Sequence, residues 1–415
     1  MYKTYISLIF CIFTAITSQS AIANPSGQNL SWWIKHIAQQ IETHPEVIAA
    51  RLAMSGELYL ADGLEKAIYN PELNSEYENE GSDKNYLIGI NQSLDRSDKR
   101  GSRSRQAVFA RIEAKENYKL IVQEKIAQAL TVLIDYQTID EKVQLVLEQE
   151  SQLESLLDIV KQRADSGDLG QLDAELAYLT LSQKFAQAAS IQAQKRRIEA
   201  QLTEIIPNWQ SQTTDLPENI FQEYEKAKVE IVVDDHPSVT AAKAQWEVME
   251  MMAELAQKNK KPDPTIGINV GKTAGDNLVS LNFSMPLNFR NNFSSESQAA
   301  QQQALSAESN YLNLKRYQYY KIVGSQDVVH EYSNRYRKWN LLMQGRDKNS
   351  EKLLQNQWSI GDISTTEYLL TLQQRTEGLL SGIELEQEYK TAVIQLLLDT
   401  AQLKQTKAST TEKSQ

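Results

Sequence analysis

The 415-residue sequence carries 43 Lys+Arg against 54 Asp+Glu, a formal net charge of −11, with only 16 Gly, 9 Pro and one Cys. That acidic balance disfavours nucleic acid as a partner, because phosphate binding needs a basic surface. Scarce Gly and Pro beside abundant Gln, Glu, Ala, Leu and Lys indicate long helices and coiled coils, not two or three ordinary compact domains.

The first residues read as an export signal. Lys3 supplies the positive charge, residues 5–16 form an apolar stretch too short to span a bilayer, and Ala21-Ile-Ala23 has the small-x-small form of a cleavage site. Residues 1–23 are therefore expected to be a signal peptide. Cys11 lies inside it, so the exported chain is expected to hold no disulfide. Phe10 stands where a lipoprotein signal takes a small residue, so no lipid anchor is expected. Nothing further along approaches the ~20-residue apolar run of a membrane helix.

A helical pattern runs from Ser31 to about Ile68, through His44-Pro-Glu-Val-Ile-Ala-Ala-Arg, until Asn70-Pro71 stops it. The period then changes to two. Leu73, Ser75 and Tyr77 alternate with Asn74, Glu76 and Glu78, and after a polar turn Tyr86, Ile88 and Ile90 alternate with Leu87, Gly89 and Asn91. Two short strands joined this way make a hairpin. Helical spacing resumes near Ser102 and continues to about Asp165, a helix of roughly 95 Å. No compact domain holds such a helix, so it must lie along others. Ile126, Leu130, Leu133, Leu153, Leu157 and Val160 mark a coiled-coil seam. Gly167-Asp168 then makes a sharp turn, and a return helix carries Leu172, Leu176, Leu179, Ile198, Leu202 and Ile205.

The second half repeats this plan roughly 190 residues on. His236-Pro-Ser-Val-Thr-Ala-Ala-Lys echoes the His44 segment, and Asp263-Pro264 echoes Asn70-Pro71. Ile266, Ile268 and Val270 alternate with Thr265, Gly267 and Asn269. The next strand, over 277–289, sets Val279, Leu281, Phe283 and Met285 against Leu278, Ser280, Asn282 and Ser284. A second long helix covers about 294–357, the Gly361-Asp362 turn follows, and the last helix carries Tyr389, Val393 and Leu396. The expected units are 24–217 (strands about 71–95, long helix about 102–165, return helix about 169–206) and 218–404 (strands about 264–289, long helix about 294–357, return helix about 363–404), with 405–415 a disordered tail.

Strands apolar on one face and rich in Asn, Ser, Gly and Glu on the other suit a barrel in lipid around water. Such a sheet must close, because open edges leave backbone groups unsatisfied. Four strands cannot enclose a channel alone, so several chains must share one barrel. The long helices would continue it as an aqueous tube. The expected fold class is mainly α with a small β part.

This plan resembles the TolC-like outer-membrane efflux family across essentially the whole exported chain. His44-Pro-Glu-Val-Ile-Ala-Ala, Asn70-Pro-Glu-Leu-Asn-Ser-Glu-Tyr-Glu-Asn-Glu-Gly81 and Asp98-Lys-Arg-Gly look like the heavy-metal branch typified by CzcC, and the Gly-Asp turns match the family's helix-tip motif. The resemblance implies a homotrimer with a twelve-stranded β-barrel in outer-membrane lipid and a periplasmic α-barrel. It implies a periplasmic adaptor and an inner-membrane pump of the RND type as partners, with metal ions or small toxic compounds as cargo. It makes Gly167, Asp168, Gly361 and Asp362 the adaptor-contacting tip. It makes Asp173 and Glu367 a candidate gate, an acidic ring of the kind that attracts cations. Read plainly, the same two acids complement helix N-termini, and both roles stay open. Departures are Leu370, where a second tip acid is common, and Leu94-Asp95, where the first half lacks the counterpart of Pro286.

No catalytic constellation stands out, and no cofactor or enzyme activity is expected. His36, His44, His236 and His330 have no second ligand at metal spacing. There is no phosphate-binding Gly-rich loop and no nucleophile elbow. His44 and His236, each before a proline, are expected to be structural. Lys99, Arg103 and Arg105 are expected to form a solvated collar between strand and helix. A duct for drug efflux or type I protein secretion is the alternative within the same class. A periplasmic coiled-coil adaptor or scaffold is the alternative from another, and it predicts no repeat of the strands.

Overall fold

The computed structural model describes residues 30–403 apart from 82, 168–169, 208, 210–215, 217–220, 222–232 and 344–346. The expected signal peptide with Cys11, the 405–415 tail and Asp168 lie outside the described residues. The chain runs α1 (Leu30–Ile41), α2 (Pro45–Glu65), β1 (Glu72–Glu80), β2 (Asp83–Ser93), α3 (Lys99–Asp165), α4 (Gln171–Ile205), α5 (Pro237–Asn259), β3 (Thr265–Thr273), β4 (Asp276–Ser284), α6 (Ser294–Met343), α7 (Asp347–Ser359) and α8 (Thr365–Asp399).

The helical pattern expected from Ser31 to about Ile68 is two helices, the second starting at Pro45. A residue before proline avoids the α region, and His44 is accordingly extended, at φ −66° and ψ 133°. Its Nδ1 accepts from Glu46 N at 3.2 Å, so it caps α2 while Pro45 fills the first turn. His236 caps α5 identically, accepting from Ser238 N at 3.2 Å.

The long helix α3 has 67 residues, about 100 Å at ~1.5 Å per residue. It begins at Lys99 rather than 102, because the Asp95 carboxylate accepts from Lys99 N (2.9 Å) and Arg100 N (2.8 Å). Asp98 before α3 and Phe293 before α6 share the left-handed region, at φ 57° and 55°. The second long helix is described as α6 and α7, with 344–346 between them outside the described residues.

The four strands form one antiparallel sheet in the order β1-β2-β3-β4. The two hairpins join through β2 and β3, where Ile88 faces Val270 and Ile90 faces Ile268. The last strand, expected to reach 289, ends at Ser284. Its partner β3 begins at Thr265 opposite Ser284, and Pro286 has no N–H to extend the ladder.

The helices follow the strand order: α2 packs on α3, α3 on α5 and α5 on α6, while α4 lies against α3 and α8 against α6. The main core gathers Trp33, Ile37 and Ile41 of α1, Ile126, Leu130 and Leu133 of α3, Leu202 and Ile205 of α4, and Val393 and Leu396 of α8. A smaller core sits at the far end of the helices. Leu172 and Leu179, expected in the α4 seam, are exposed instead. The last helix ends at Asp399, whose buried carboxylate pairs with Lys321 (2.8 Å) and Ser325 (2.5 Å) of α6.

Where sheet meets helices, the expected solvated collar is wrong for Lys99, which is only 7% exposed. Its Nζ donates to Asp263 at 2.8 Å and to Lys261 O at 3.2 Å, and Tyr69 Oη donates to Asp263 at 2.6 Å. Arg105 pairs with Glu254 (2.5 Å), and Arg103 donates to the Gly63 carbonyl near the end of α2 (3.3 Å). The hydrogen bond to Asp263 pushes the Tyr69 hydroxyl up to about 12. Burial alone would raise Asp263, but Lys99 and Tyr69 outweigh it and hold the carboxyl below its usual range. A depressed carboxyl contributes stability at higher pH and loses it as pH falls through the folded value. Lys99→Ala should therefore cost about 3–5 kcal/mol near neutrality. The cost should shrink once the pH drops below the ordinary aspartate range, as thermal unfolding in detergent across pH would report.

Candidate functional site: an apolar-faced sheet and a two-hairpin tip

The strand register sorts side chains into rows. Outward lie Tyr77, Tyr86, Lys272 and Asn277, then Ser75, Ile88, Val270 and Val279, then Leu73, Ile90, Ile268 and Leu281, then Gln92, Ile266 and Phe283. Beyond them Leu94 and Met285 continue the alternation, with Leu94 N donating to Pro264 O at 2.8 Å. The large apolar members of this face are all exposed, Leu281 at 80%. A contiguous apolar face of this extent marks an interaction surface. Residues 86–94 span about 27 Å of strand, or roughly 20 Å of height at a tilt of about 40°, near the ~25 Å apolar band of membrane barrels.

The inward face is polar and tightly fitted. Asn74 Nδ2 reaches across Gly89 to Asn269 Oδ1 at 3.0 Å, and Asn282 Nδ2 reaches across Gly267 to Asn91 Oδ1 at 3.1 Å. The glycines make room. A Cβ at Gly89 would lie 1.8 Å from Asn269 Oδ1, and one at Gly267 would lie 2.0 Å from both Asn91 and Asn282 Oδ1. Ser93 and Thr265 bond at 2.7 Å one row nearer the helices. In one chain β1 and β4 remain open edges.

At the far end two helical hairpins meet. Gly167 (φ 80°) turns α3 into α4, and Gly361 (φ 81°) turns α7 toward α8. Gly361 N bonds Trp358 O (3.2 Å) and Asp362 N bonds Gln357 O (2.9 Å), the paired bonds of a Schellman C-cap. Ser364 and Glu367 form a reciprocal capping box, Ser364 N donating to Glu367 Oε2 at 2.9 Å. Those bonds, the backbone N–H first and then the hydroxyl, hold Glu367 below the usual glutamate range. Among the described residues, the Asp173 carboxylate makes no hydrogen bond to its own helix end. Its Oδ1 accepts from Thr366 Oγ1 of the other hairpin at 2.7 Å. Under this contact Trp358 is buried, donating to Thr365 Oγ1 (3.2 Å), with the Arg163 guanidinium 5.0 Å from its ring centroid.

Of the residues expected at the tip, Asp173 thus lies against Thr366, the residue before Glu367, while Leu370 is exposed. Thr366, Trp358 and Arg163 escaped the sequence reading. Trp358, three residues before the turn glycine, was the visible signal. Among the described residues no group of three or more His, Cys, Asp or Glu could hold a metal ion, and no helix is long and apolar enough to cross a membrane.

No protein-family profile matches the sequence, and no curated protein matches it. Solved structures share its fold. The Campylobacter jejuni CmeC outer membrane channel aligns at 12% identity and TM-score 0.73, over 98% of this chain and 95% of its own. The open state of the Neisseria gonorrhoeae MtrE outer membrane channel aligns at 14% and 0.69, over 98% of each. CusC, solved in conformations that accompany folding and transmembrane channel formation, aligns at 11% and 0.75, over 90% and 94%. The fold is that of these channels: mainly α, with long helices and a four-stranded contribution to a β-barrel.

Gly361→Val should strain the left-handed turn by about 1–2 kcal/mol. Hydrogen exchange should speed up around 357–372 and stay unchanged in the sheet. The Glu367 contribution to the same segment is complete above the ordinary glutamate range. It should be lost only as pH falls through the lowered folded value, seen as faster exchange there in acid.

Proposed function

We propose that this chain is the outer-membrane exit duct of a tripartite efflux system. The observation that carries the reading is the sheet: apolar outward, polar inward, open at both edges, and continuous with long helices, α3 alone being about 100 Å. In lipid those edges must pair. Three copies joined β4 to β1 give twelve strands, and the helices then line a periplasmic tube. The chain sits in the outer membrane with a large periplasmic part, delivered there by the signal at 1–23.

The tip formed by Gly167, Asp168, Gly361 and Asp362 contacts a periplasmic adaptor, which hands over cargo from an RND-type inner-membrane pump. The Asn70-Pro-Glu-Leu and Asp98-Lys-Arg-Gly stretches favour the heavy-metal branch, with metal ions or small toxic compounds as cargo. The chain acts as a passive conduit, not an enzyme. Asp173 and Glu367 stand at the tip as the candidate gate, and the Asp173–Thr366 bond holds the hairpins together at rest.

Purified mature protein should show a trimeric mass in detergent and a cation-favouring pore in a planar bilayer. A soluble monomer without conductance would overturn the reading and favour a periplasmic scaffold. Thr366→Val removes a bond with a net contribution of about 1 kcal/mol, so the open fraction should rise roughly fivefold. Unchanged conductance in that variant would sink the tip-closure assignment and leave the duct standing.

A further inference from the structure

The charges of the sheet are sorted by face. Among the described side chains, the strand acids Glu72, Glu76, Glu78 and Asp276 all take inward positions. The only cations of the four strands, Lys84 and Lys272, both take outward ones. Both lysines are exposed, and neither has a hydrogen bond or ion pair among the described residues.

Their placement is specific. Lys272 faces Tyr86, and Tyr86 faces Tyr77. Lys84 stands two residues nearer the hairpin turn on β2, which makes the lysines diagonal neighbours about 7 Å apart at Cβ. The next row toward the helices is Ile88, Val270 and Val279. The two ammonium groups therefore crown an apolar face at its turn end, beside an aromatic row, with no counter-ion among the described residues. Tyrosines in such a row sit at headgroup depth, and lysine stems lie along apolar surface while the ammonium reaches the polar layer.

We propose that Lys84 and Lys272, flanked by Tyr77 and Tyr86, form a binding site for the phosphomonoester of an anionic membrane lipid. The site lies in the leaflet on the hairpin-turn side, away from the helices, and a closed trimer carries three of them. Charge complementarity selects the ligand: two adjacent cations on the outward face match a phosphate in the headgroup layer, while the acids are confined to the water side. This inference rests on the barrel reading above.

The test uses the full mature protein in phosphatidylcholine nanodiscs, with and without lipid A, a phosphorylated glycolipid. Native mass spectrometry counts retained lipid A, and melting temperature reports stabilisation. Wild type should retain lipid A and melt higher in its presence. Each lysine removed should weaken binding about fivefold, so K84Q/K272Q should lose roughly 25-fold in affinity. K84R/K272R should keep both readouts. Equal retention by K84Q/K272Q would overturn the site. Inorganic phosphate reproducing the full shift in undoped nanodiscs would overturn the lipid assignment in favour of a free-anion site. The two readings fail distinguishably: a wild type that neither enters nanodiscs nor conducts overturns the barrel and this site together. A wild type that inserts and conducts but does not respond to lipid A overturns the site alone.

Discussion

A strand in hydrocarbon cannot leave its edge N–H and C=O groups unpaired, since each costs several kcal/mol. On the barrel reading proposed above, that constraint governs this molecule. Its sheet presents an apolar face that water does not favour and two edges that lipid does not tolerate. Only closure with further copies satisfies both. The helices take the order α2, α3, α5, α6 because each strand hands its direction to the helix beside it. Curvature closing the sheet would therefore also close the helices into a tube. Nothing in a single chain completes either ring.

Stiffness falls along the molecule for the same reason. At the sheet, asparagines lean over glycines where a Cβ would clash with them, and the buried Lys99–Asp263 pair ties the first half to the second directly below. The main core follows, with side chains from α1, α3, α4 and α8 fully buried. At the far end a small cluster around Trp358 packs the hairpins together, with the Asp173–Thr366 hydrogen bond crossing between them. Segments with few buried contacts open at the lowest free energy. If the chain is the duct proposed above, anchored in a membrane and worked from its other end, that gradient suits it.

Features set by neighbouring residues were legible in the sequence. Period-two alternation located the apolar, exposed rows of the sheet, and the Gly-Asp pairs located turns whose glycines do take positive φ. His-Pro marked both helix starts, although the capping ring that breaks α1 from α2 was missed. It was read as one pattern because the apolar spacing continues across the break. Features set by distant residues were not legible. Lys99 looked like a solvated rim charge because its partner Asp263 is 164 residues away. The last strand was carried to Phe289 because its alternation persists, whereas a strand ends where its partner does. The Asp173–Thr366 contact spans 193 residues and leaves no local trace.

The two tip acids show how repeated backbones come to carry different chemistry. Asp173 and Glu367 hold matching places after matching turns, and resemblance treats them alike. Their bonds differ in kind. Glu367 spends its Oε2 on Ser364 of its own hairpin, a contact that survives any movement of that hairpin as a body. Asp173 bonds across to the other hairpin, so separating the two must break that bond and return the carboxylate to water. A group can sense opening only if its surroundings change on opening. Among the described residues, Asp173 is the acid of the two that bonds across the hairpins, while the Glu367 bonds stay within the start of α8.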